Sequence, residues 1–276
     1  MLDQMVVIYC LCDETLKALN FKDDLQCKMT TAEIVTFSLM SAIIFGGDYR
    51  KSRLMAMYHR YFPNILSHSQ LVRRIHSISD EIWTLIFRAL QVILQQNDCQ
   101  HFIVDSFPIK TYETQKSFRA KIFKGKRYHG YCASKKQYYF GIKVHMVINS
   151  QGVPIEFSIT PGSLSDIRSL QSFSLDLPQG SILMGDKAYT NYQFEDDLNN
   201  LDGIKMLVKR RKNLKRQNNY NDERLLKNER NYIETVFSSI VSRMPRHIRA
   251  RTEKGFYLKV LLFILAYMVN LYFPFG

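Results

Sequence analysis

Cysteine is scarce in this sequence and forms no recognisable pairing pattern. The 276 residues include five cysteines, an odd number, and no two of them form a C-x-x-C pair. Small secreted scaffolds and structural zinc sites depend on cysteines paired at short spacings. We therefore expect reduced thiols, and neither a disulfide framework nor a structural zinc site.

The sequence also lacks a recognisable export signal and a full-length membrane span. Met1–Leu11 contains Asp3 and no basic residue, which is unlike the positively charged start of a signal peptide. Val260–Phe275 is uncharged, but it is shorter than the roughly 20 residues that a bilayer requires, and it includes Asn270 and Pro274. We expect a buried C-terminal helix in a cytoplasmic protein that has no membrane partner.

A nucleotide-binding glycine loop is missing as well. Gly125-Lys126 resembles the end of a Walker A loop, but Ala120 occupies the position where that loop has its first glycine. Nucleotide hydrolysis is therefore not indicated.

Acidic residues are outnumbered by basic ones, and the imbalance is confined to the last two thirds of the chain. The sequence has 38 Lys and Arg against 25 Asp and Glu, a formal net charge of +13. Residues 1–98 contain 10 of each sign, so residues 99–276 contain 28 basic and 15 acidic side chains. Because a basic surface of this size favours a polyanion and no membrane segment is evident, we expect a nucleic-acid partner.

Residues 1–98 have the pattern of an all-helical module. Thr31 can cap a helix over Ala32–Phe45, which is apolar on nearly every side and is therefore expected to be buried. Shorter helices are predicted at Tyr49–Tyr61 and Gln70–Ile78. Arg73 and Arg74 give the last of these a basic face, which is compatible with contact to DNA and equally with a purely structural role.

Residues 99–276 combine strand and helix patterns. Strands are predicted at Phe102–Val104, Tyr138–Ile148, Val153–Ile159, Ile182–Gly185 and Ile204–Val208. The second and third of these alternate apolar and polar residues across a turn, and so predict a hairpin. Apolar residues at helical spacing predict one helix after the hairpin, one after the fourth strand and one at the end of the domain. This order matches the ribonuclease H-like fold, so we expect an α/β domain with a mixed five-strand sheet and flanking helices.

Two aspartates directly follow predicted strands of this sheet. Asp105 comes after the first strand and Asp186 after the fourth, and these strands are neighbours in the ribonuclease H-like order. Since ligands collect at strand ends in open sheets, the two carboxylates can share a metal ion. Glu234 flanks the buried stripe of the last helix, with Arg230 one turn earlier. Taken singly, Asp105 and Asp186 can be helix caps or solvated loop residues, and Glu234 can be half of a surface ion pair with Arg230.

Four ordered motifs resemble those of DDE transposases from bacterial insertion sequences. They are Val104–Pro108, Tyr139–His145, Gly185–Tyr189 and the pattern from Arg230 to Phe237. A further pattern from Ile248 to Lys259 is similar to that of the 982 insertion-sequence family. The resemblance covers nearly the whole chain and is strongest after residue 100.

The resemblance implies a metal-dependent enzyme that cuts and joins DNA. Asp105, Asp186 and Glu234 would form the catalytic triad and converge on two Mg²⁺ or Mn²⁺ ions, with Asp105 bridging both. Phosphoryl transfer with two metals suits this donor set. The implied partners are double-stranded DNA of the element ends and the target, and a homo-oligomer is expected on DNA. Two alternatives stay open: a nuclease of this fold that cuts without joining, and a non-catalytic DNA-binding protein.

Two basic segments flank the proposed catalytic strands. Lys110–Lys136 has nine Lys or Arg, one acid and several interleaved aromatic residues, and Lys209–Arg216 has six basic residues in eight. Lys and Arg bind phosphates, and aromatic rings stack on unpaired bases. The candidate DNA-binding residues are Lys110, Lys124, Lys126, Arg127, Lys209, Arg210, Arg211, Lys212 and Arg230.

Overall fold

A computed structural model describes residues 2–95, 99–132 and 136–273. The chain forms two compact units, Met1–Gln96 with Ser239–Gly276, and Asn97–Ser238. The division into domains 1–98 and 99–276 stays a prediction, since its border falls in residues 96–98, outside the described part. The two units group the C-terminal residues with the N-terminal helices.

The first unit is helical. Its helices are α1 (Leu2–Ala18), α2 (Thr31–Phe45), α3 (Tyr49–Tyr58), α4 (His68–Ser77), α5 (Asp80–Leu94) and α10 (Glu253–Tyr272). Central α2 is buried on nearly every side, as its sequence predicts. Its N-cap is Thr30, one residue earlier than expected, because Thr30 and Glu33 form a reciprocal capping box. The helix ends at Gly46, whose left-handed backbone suits glycine.

The C-terminal helix α10 packs against α2 and α5 within this unit. By itself α10 is long and apolar enough to cross a membrane, but two thirds of its apolar window is buried inside the protein. Val260, Phe263 and Leu265 are fully enclosed. Such burial is typical of a core helix and confirms the buried helix expected from Val260 onward; Pro274 and Phe275 lie outside the described residues.

The structure assigns Arg74 to the scaffold rather than to a free basic face. Its guanidinium donates to Asp23 Oδ1 at 2.6 Å and to Thr31 Oγ1 at 3.2 Å. Asp23 also accepts hydrogen bonds from the backbone and hydroxyl of Thr31. Arg74 therefore holds the loop before α2 in place, whereas Arg73 stays exposed.

The second unit contains a six-strand mixed sheet. The strands are β1 (His101–Tyr112), β2 (His129–Cys132), β3 (Gln137–Asn149), β4 (Pro154–Pro161), β5 (Ile182–Gly185) and β6 (Lys205–Val208). Neighbouring strands follow the order β2-β3-β1-β5-β6, and β4 also pairs with β3. Pairing is antiparallel among β1, β2, β3 and β4, and parallel among β1, β5 and β6. This arrangement is consistent with the ribonuclease H-like DDE fold, including the predicted hairpin. Strand β2 is the one strand that the sequence did not predict, because its four residues are too few to show an alternation of apolar and polar side chains.

Helices cover both faces of the sheet. They are α6 (Asp166–Leu170), α7 (Tyr192–Asp197), α8 (Tyr220–Glu229) and α9 (Tyr232–Ser242), the last of which crosses into the other unit. Phe102 and Val104 of β1 face a core that includes Leu170 and Leu198. Alternate residues of β1 face the opposite way, where the ring of Phe107 lies 4.6 Å from that of Phe237 on α9.

The last predicted helix is in fact two helices. The apolar spacing through Leu226, Ile233 and Phe237 predicts one continuous element, but a turn at Arg230 and Asn231 separates α8 from α9. The buried stripe continues across the turn, so periodicity alone does not detect the break. The consequence is that Glu234 lies in the first turn of α9.

Gly141 is a sensitive position, because β1 and β3 approach closely there. A Cβ at Gly141 would collide with the carbonyl oxygen of Ile109 and lie 3.0 Å from the amide of Thr111. We expect Gly141→Ala to lower the free energy of unfolding by more than about 2 kcal/mol, since backbone atoms cannot move aside. Urea unfolding followed by circular dichroism measures this, with Lys110→Ala as the control on the paired strand. An unchanged midpoint for Gly141→Ala would contradict the prediction.

Candidate active site

Asp105 and Asp186 occupy matching positions on adjacent parallel strands. In the β1–β5 ladder, Ile103 pairs with Met184, a separation of 81 positions in the chain. Continuing that register places Asp105 opposite Asp186, two residues beyond the last pair. Equivalent positions on parallel neighbours face the same side of a sheet. The two aspartates therefore share one face at the point where this ladder ends.

The setting of Asp105 differs from the expected strand end. Strand β1 continues to Tyr112 in partnership with β3, so Asp105 lies within the strand and only its pairing with β5 has ended. Its Oδ1 accepts the amide of Ser106 at 2.8 Å. Burial raises the pKa of Asp105 to about 7; Asp186 acts in the same direction, whereas the Ser106 amide and Arg230 oppose the shift.

Asp186 is held by the turn that follows β5. It caps a short 3₁₀ turn, Lys187–Tyr189, and its Oδ1 accepts the amide of Ala188 at 2.6 Å. In the described part of the chain, the hydrogen bonds of Asp105 and Asp186 both use Oδ1. The arrangement leaves an Oδ2 on each carboxylate for a cation.

Glu234 lies apart from this pair. Its side chain is 67% exposed, and its Oε1 is 3.8 Å from Nη2 of Arg230. Arg230 in turn is near enough to lower the pKa of Asp105. Across residues 2–95, 99–132 and 136–273, no three His, Cys, Asp or Glu side chains lie close enough together to hold a metal ion. The structure thus brings Asp105 and Asp186 together, and the three-acid centre stays a prediction.

A polar network lies on the reverse face of β1, directly behind the aspartates. Asp166 on α6 accepts hydrogen bonds from Ser106 Oγ at 2.8 Å and from Lys143 Nζ at 3.1 Å. The N-cap of α6 is Ser165, so the Asp166 carboxylate does not cap this helix but bonds to side chains of two strands. The network ties α6 to the residue next to Asp105.

Two further polar side chains are buried in this network. His145 is almost fully enclosed, with Nε2 2.9 Å from Thr160 Oγ1 and Nδ1 3.5 Å from Asp166 Oδ1. Tyr189 is buried beside the acids, and its hydroxyl forms no hydrogen bond of ordinary geometry within the described residues, although Ser106 is close enough to affect its pKa. Sequence reasoning assigned neither residue a role; both stand in the quoted motifs, which is the signal that could have found them.

One family model matches the part of the chain that contains these residues. The family model of the transposase DDE domain matches residues 96–252, a range that contains Asp105, Asp186 and Glu234. The chain belongs to the DDE transposase family. Enzymes of this family bind DNA, generally use divalent metal ions and are normally cytoplasmic. No curated protein matches the chain.

The first basic segment of the DDE domain is largely exposed. Lys124, Lys126 and Arg127 are open to solvent, and the guanidinium of Arg127 lies 4.9 Å from the ring of Tyr128. Lys110 is exposed on β1, where its Nζ donates to Gln137 at 2.9 Å. Residues 133–135 and the side chain of Lys116 lie outside the description.

The second basic segment of the DDE domain divides into two kinds of residue. Lys209, Arg211 and Lys212 are exposed. The Arg210 side chain is only 6% exposed and forms a two-pronged ion pair with Glu195, with Nη1 2.9 Å from Oε1. A run of charges in the sequence cannot distinguish these cases. Arg210 anchors the loop to α7, so the candidate DNA surface here consists of its three exposed neighbours.

Burial of His145 predicts a pH-dependent stability. Burial lowers the pKa of His145 to about 4, with Lys143 acting in the same direction and Asp166 opposing it. In the unfolded chain His145 is protonated below about pH 6.5, whereas in the folded protein it stays neutral down to about pH 4. The free energy of unfolding is therefore undiminished above pH 6.5 and falls as the pH is lowered towards 4. The loss should reach at most about 3 kcal/mol.

The matched variants for this prediction are His145→Gln and His129→Gln. Free energies of unfolding in urea at pH 4.5 and pH 7 should differ less in His145→Gln than in the wild type. His129 is exposed, so His129→Gln should behave as the wild type does. Equal pH dependence in the wild type and His145→Gln would show that another group is responsible.

Proposed function

We propose that this protein is an insertion-sequence transposase of the 982 type, which cuts the ends of its element and joins them to target DNA. The observation that carries the proposal is the shared register of Asp105 and Asp186 on β1 and β5. A structural role does not require two acids at equivalent positions of neighbouring strands, where like charges repel each other. Binding of a shared cation, in contrast, requires two acidic side chains close together.

The donor set fits a hard divalent cation. Carboxylate oxygens suit Mg²⁺ and Mn²⁺, and each aspartate keeps Oδ2 for such a ligand. Asp105 would bridge two ions, while Asp186 and Glu234 would hold one each. Bound in this way, the ions supply activation of the attacking oxygen and stabilisation of the leaving oxygen.

The proposed reaction is in-line phosphoryl transfer. A water or a 3′ hydroxyl forms a new P–O bond as the bond to the leaving 3′ oxygen breaks. The attacking group gives up one proton and the leaving oxygen takes one up to become a 3′ hydroxyl, so the step is balanced. Negative charge spreads over the phosphate oxygens during this step. Arg230, which acts electrostatically on Asp105, would offset part of that charge. On the reverse face of the sheet, Asp166 accepts hydrogen bonds from Ser106 of β1 and Lys143 of β3 and so holds the two strands together beside Asp105.

The exposed cations of the two basic segments form the proposed DNA surface. The exposed ones among the candidate residues are Lys110, Lys124, Lys126, Arg127, Lys209, Arg211 and Lys212. Side chains of this kind bind the phosphates of any sequence and confer affinity rather than base recognition. Assembly of two or more copies on the element ends is part of this proposal.

Loss of charge at Asp105 should abolish cleavage. Asp105→Asn keeps the size of the side chain but removes a charge that cations need, so Mg²⁺-dependent cleavage of DNA carrying an element end should fall by several orders of magnitude. Binding of DNA without metal should stay equal or rise, because a carboxylate repels phosphate. Gel assays of cleavage and binding measure the two effects.

Asp202→Asn provides the matched control for charge removal. Asp202 is exposed and precedes β6, so it lies at the opposite end of the parallel strands from Asp186. Glu229 is less suitable, because its carboxylate pairs with His101 at 2.9 Å. If Asp105→Asn and Asp202→Asn both cleave as the wild type does, the aspartates are structural and a DNA-binding protein explains the chain better.

A DNA substrate that is already cut allows the joining activity to be measured separately from the cutting activity. A pre-cut end with a free 3′ hydroxyl, mixed with target DNA and Mg²⁺, should yield joined products with the wild type and none with Asp186→Asn. A nuclease of the same fold would cut the intact end but would never produce the joined molecule. That outcome would remove strand transfer from the proposal and keep the catalytic site.

The exposed basic residues of the second segment should determine the salt dependence of binding. Replacing Lys209, Arg211 and Lys212 with Gln should weaken binding to unrelated duplexes to a similar degree. It should also reduce the slope of log affinity against log salt by about 3, because each phosphate contact releases a counterion. Arg210→Gln should instead lower stability. Unchanged affinity and slope in the triple variant would show that the loop does not contact DNA.

A further inference from the structure

Three tyrosines form an exposed aromatic surface on the DDE domain, here called the tyrosine platform: Tyr112, Tyr131 and Tyr138. Tyr131 on β2 and Tyr138 on β3 are register partners, and their ring centroids are 4.9 Å apart. Their exposed fractions are 51% and 68%, and that of Tyr112 is 41%. Tyr112 pairs with Phe140, two residues from Tyr138 and on the same face of β3.

Exposed rings at a sheet edge require an explanation. Strand β2 is the outer strand at this side of the sheet, and apolar sheet edges favour unwanted pairing. The neighbouring aromatic residues Tyr128, Tyr139 and Phe140 are all buried, so the local core is already filled. The platform is therefore available to a ligand with flat, partly apolar faces.

The charges around the platform define that ligand further. Between β1 and β2, the short turns Thr114–Arg119 and Lys126–Tyr128 contact β3. Lys124, Lys126 and Arg127 are exposed there, and the guanidinium of Arg119 lies 5.4 Å from the exposed ring of Phe118. From residue 110 to residue 132 the sequence has a single acid, Glu113. Flat faces combined with negative charge describe unpaired nucleotides, whose bases stack on aromatic rings while cations bind the phosphates.

The platform and the two aspartates share one face of the sheet. Asp105, Phe107 and Ile109 alternate along β1, and Ile109 pairs with Ile142, which is in phase with Tyr138 on β3. Asp105 itself pairs with Met146, eight residues from Tyr138. Eight strand residues span about 26 Å. The platform is thus about 26 Å along the strands from the proposed cutting site.

We propose that the tyrosine platform binds unpaired nucleotides of a DNA strand about 26 Å from the reacting phosphate. The inference rests on the proposed function, since DNA is brought to this face by the catalytic site. Stacking on Tyr131 and Tyr138 holds the strand there, and the surrounding cations neutralise its phosphates. Duplex DNA, whose bases are stacked on each other, gains nothing from the rings.

The test compares two DNA probes on the full chain without divalent metal. One is a blunt duplex, and the other is the same duplex with a single-stranded tail of about ten thymidines, which can span the estimated 26 Å. Fluorescence anisotropy gives both affinities. Tyr138→Ala removes a ring, Tyr138→Phe keeps it, and Tyr220→Ala removes another exposed ring, on α8.

Tyr138→Ala should weaken binding of the tailed probe about 5- to 150-fold, the range for loss of one base stack, and change binding of the blunt probe by less than about twofold. Tyr138→Phe and Tyr220→Ala should bind both probes as the wild type does. Matching urea midpoints for Tyr138→Ala and the wild type establish that folding is intact.

Equal loss of both probes, or no loss of either, would overturn the platform as a site for unpaired bases. So would a shift from dimer to monomer in light scattering of Tyr138→Ala, which would make the platform an interface between copies of this chain. Failure of the proposed function has a separate readout, namely unchanged cleavage by Asp105→Asn. Loss of the tail preference while cleavage still depends on Asp105 would refute only the platform.

Discussion

The pairing of β1 with β5 is the interaction on which the proposed site depends. Three residue pairs, from His101 with Ile182 to Ile103 with Met184, fix a parallel register between segments that are far apart in the chain. That register is what turns two separate aspartates into neighbours. If the register between β1 and β5 shifted by one residue, Asp186 would lie on the other face of the sheet and would no longer be next to Asp105.

Bringing two carboxylates together is costly, and the surrounding structure shows how the cost is limited. Amides of Ser106 and Ala188 donate to the two acids, and Arg230 supplies positive charge on their side of the sheet. Behind β1, the Lys143–Asp166 pair is mostly buried and hydrogen-bonded, so α6 and β3 are held together next to Asp105. A cation between the aspartates would remove the remaining repulsion.

Local sequence patterns predict much of this fold. Period-2 alternation locates the β3–β4 hairpin, and short apolar runs locate β5 and β6, because these features depend on neighbouring residues. The aspartate pair was predictable once the strand order was matched to a fold. The break between α8 and α9 and the short strand β2 were not, since the first interrupts no periodicity and the second spans four residues.

Roles that depend on tertiary partners were the hardest to predict. Arg210 and Lys209 are equivalent in the sequence, yet only Arg210 faces a buried Glu195. Asp166 has the spacing of a helix cap, but its partners Ser106 and Lys143 lie on two distant strands. In the same way, nothing in the apolar sequence of α10 shows that it packs against α2 rather than the sheet.

The most direct measurement is the position of Mn²⁺ in crystals of the full chain bound to a DNA end, located by anomalous diffraction. We expect a peak between the carboxylates of Asp105 and Asp186, with Glu234 turned from Arg230 towards a second peak. Ions found only at other acids, with Asp105 and Asp186 making no metal contact, would contradict the assignment of this aspartate pair as the catalytic centre.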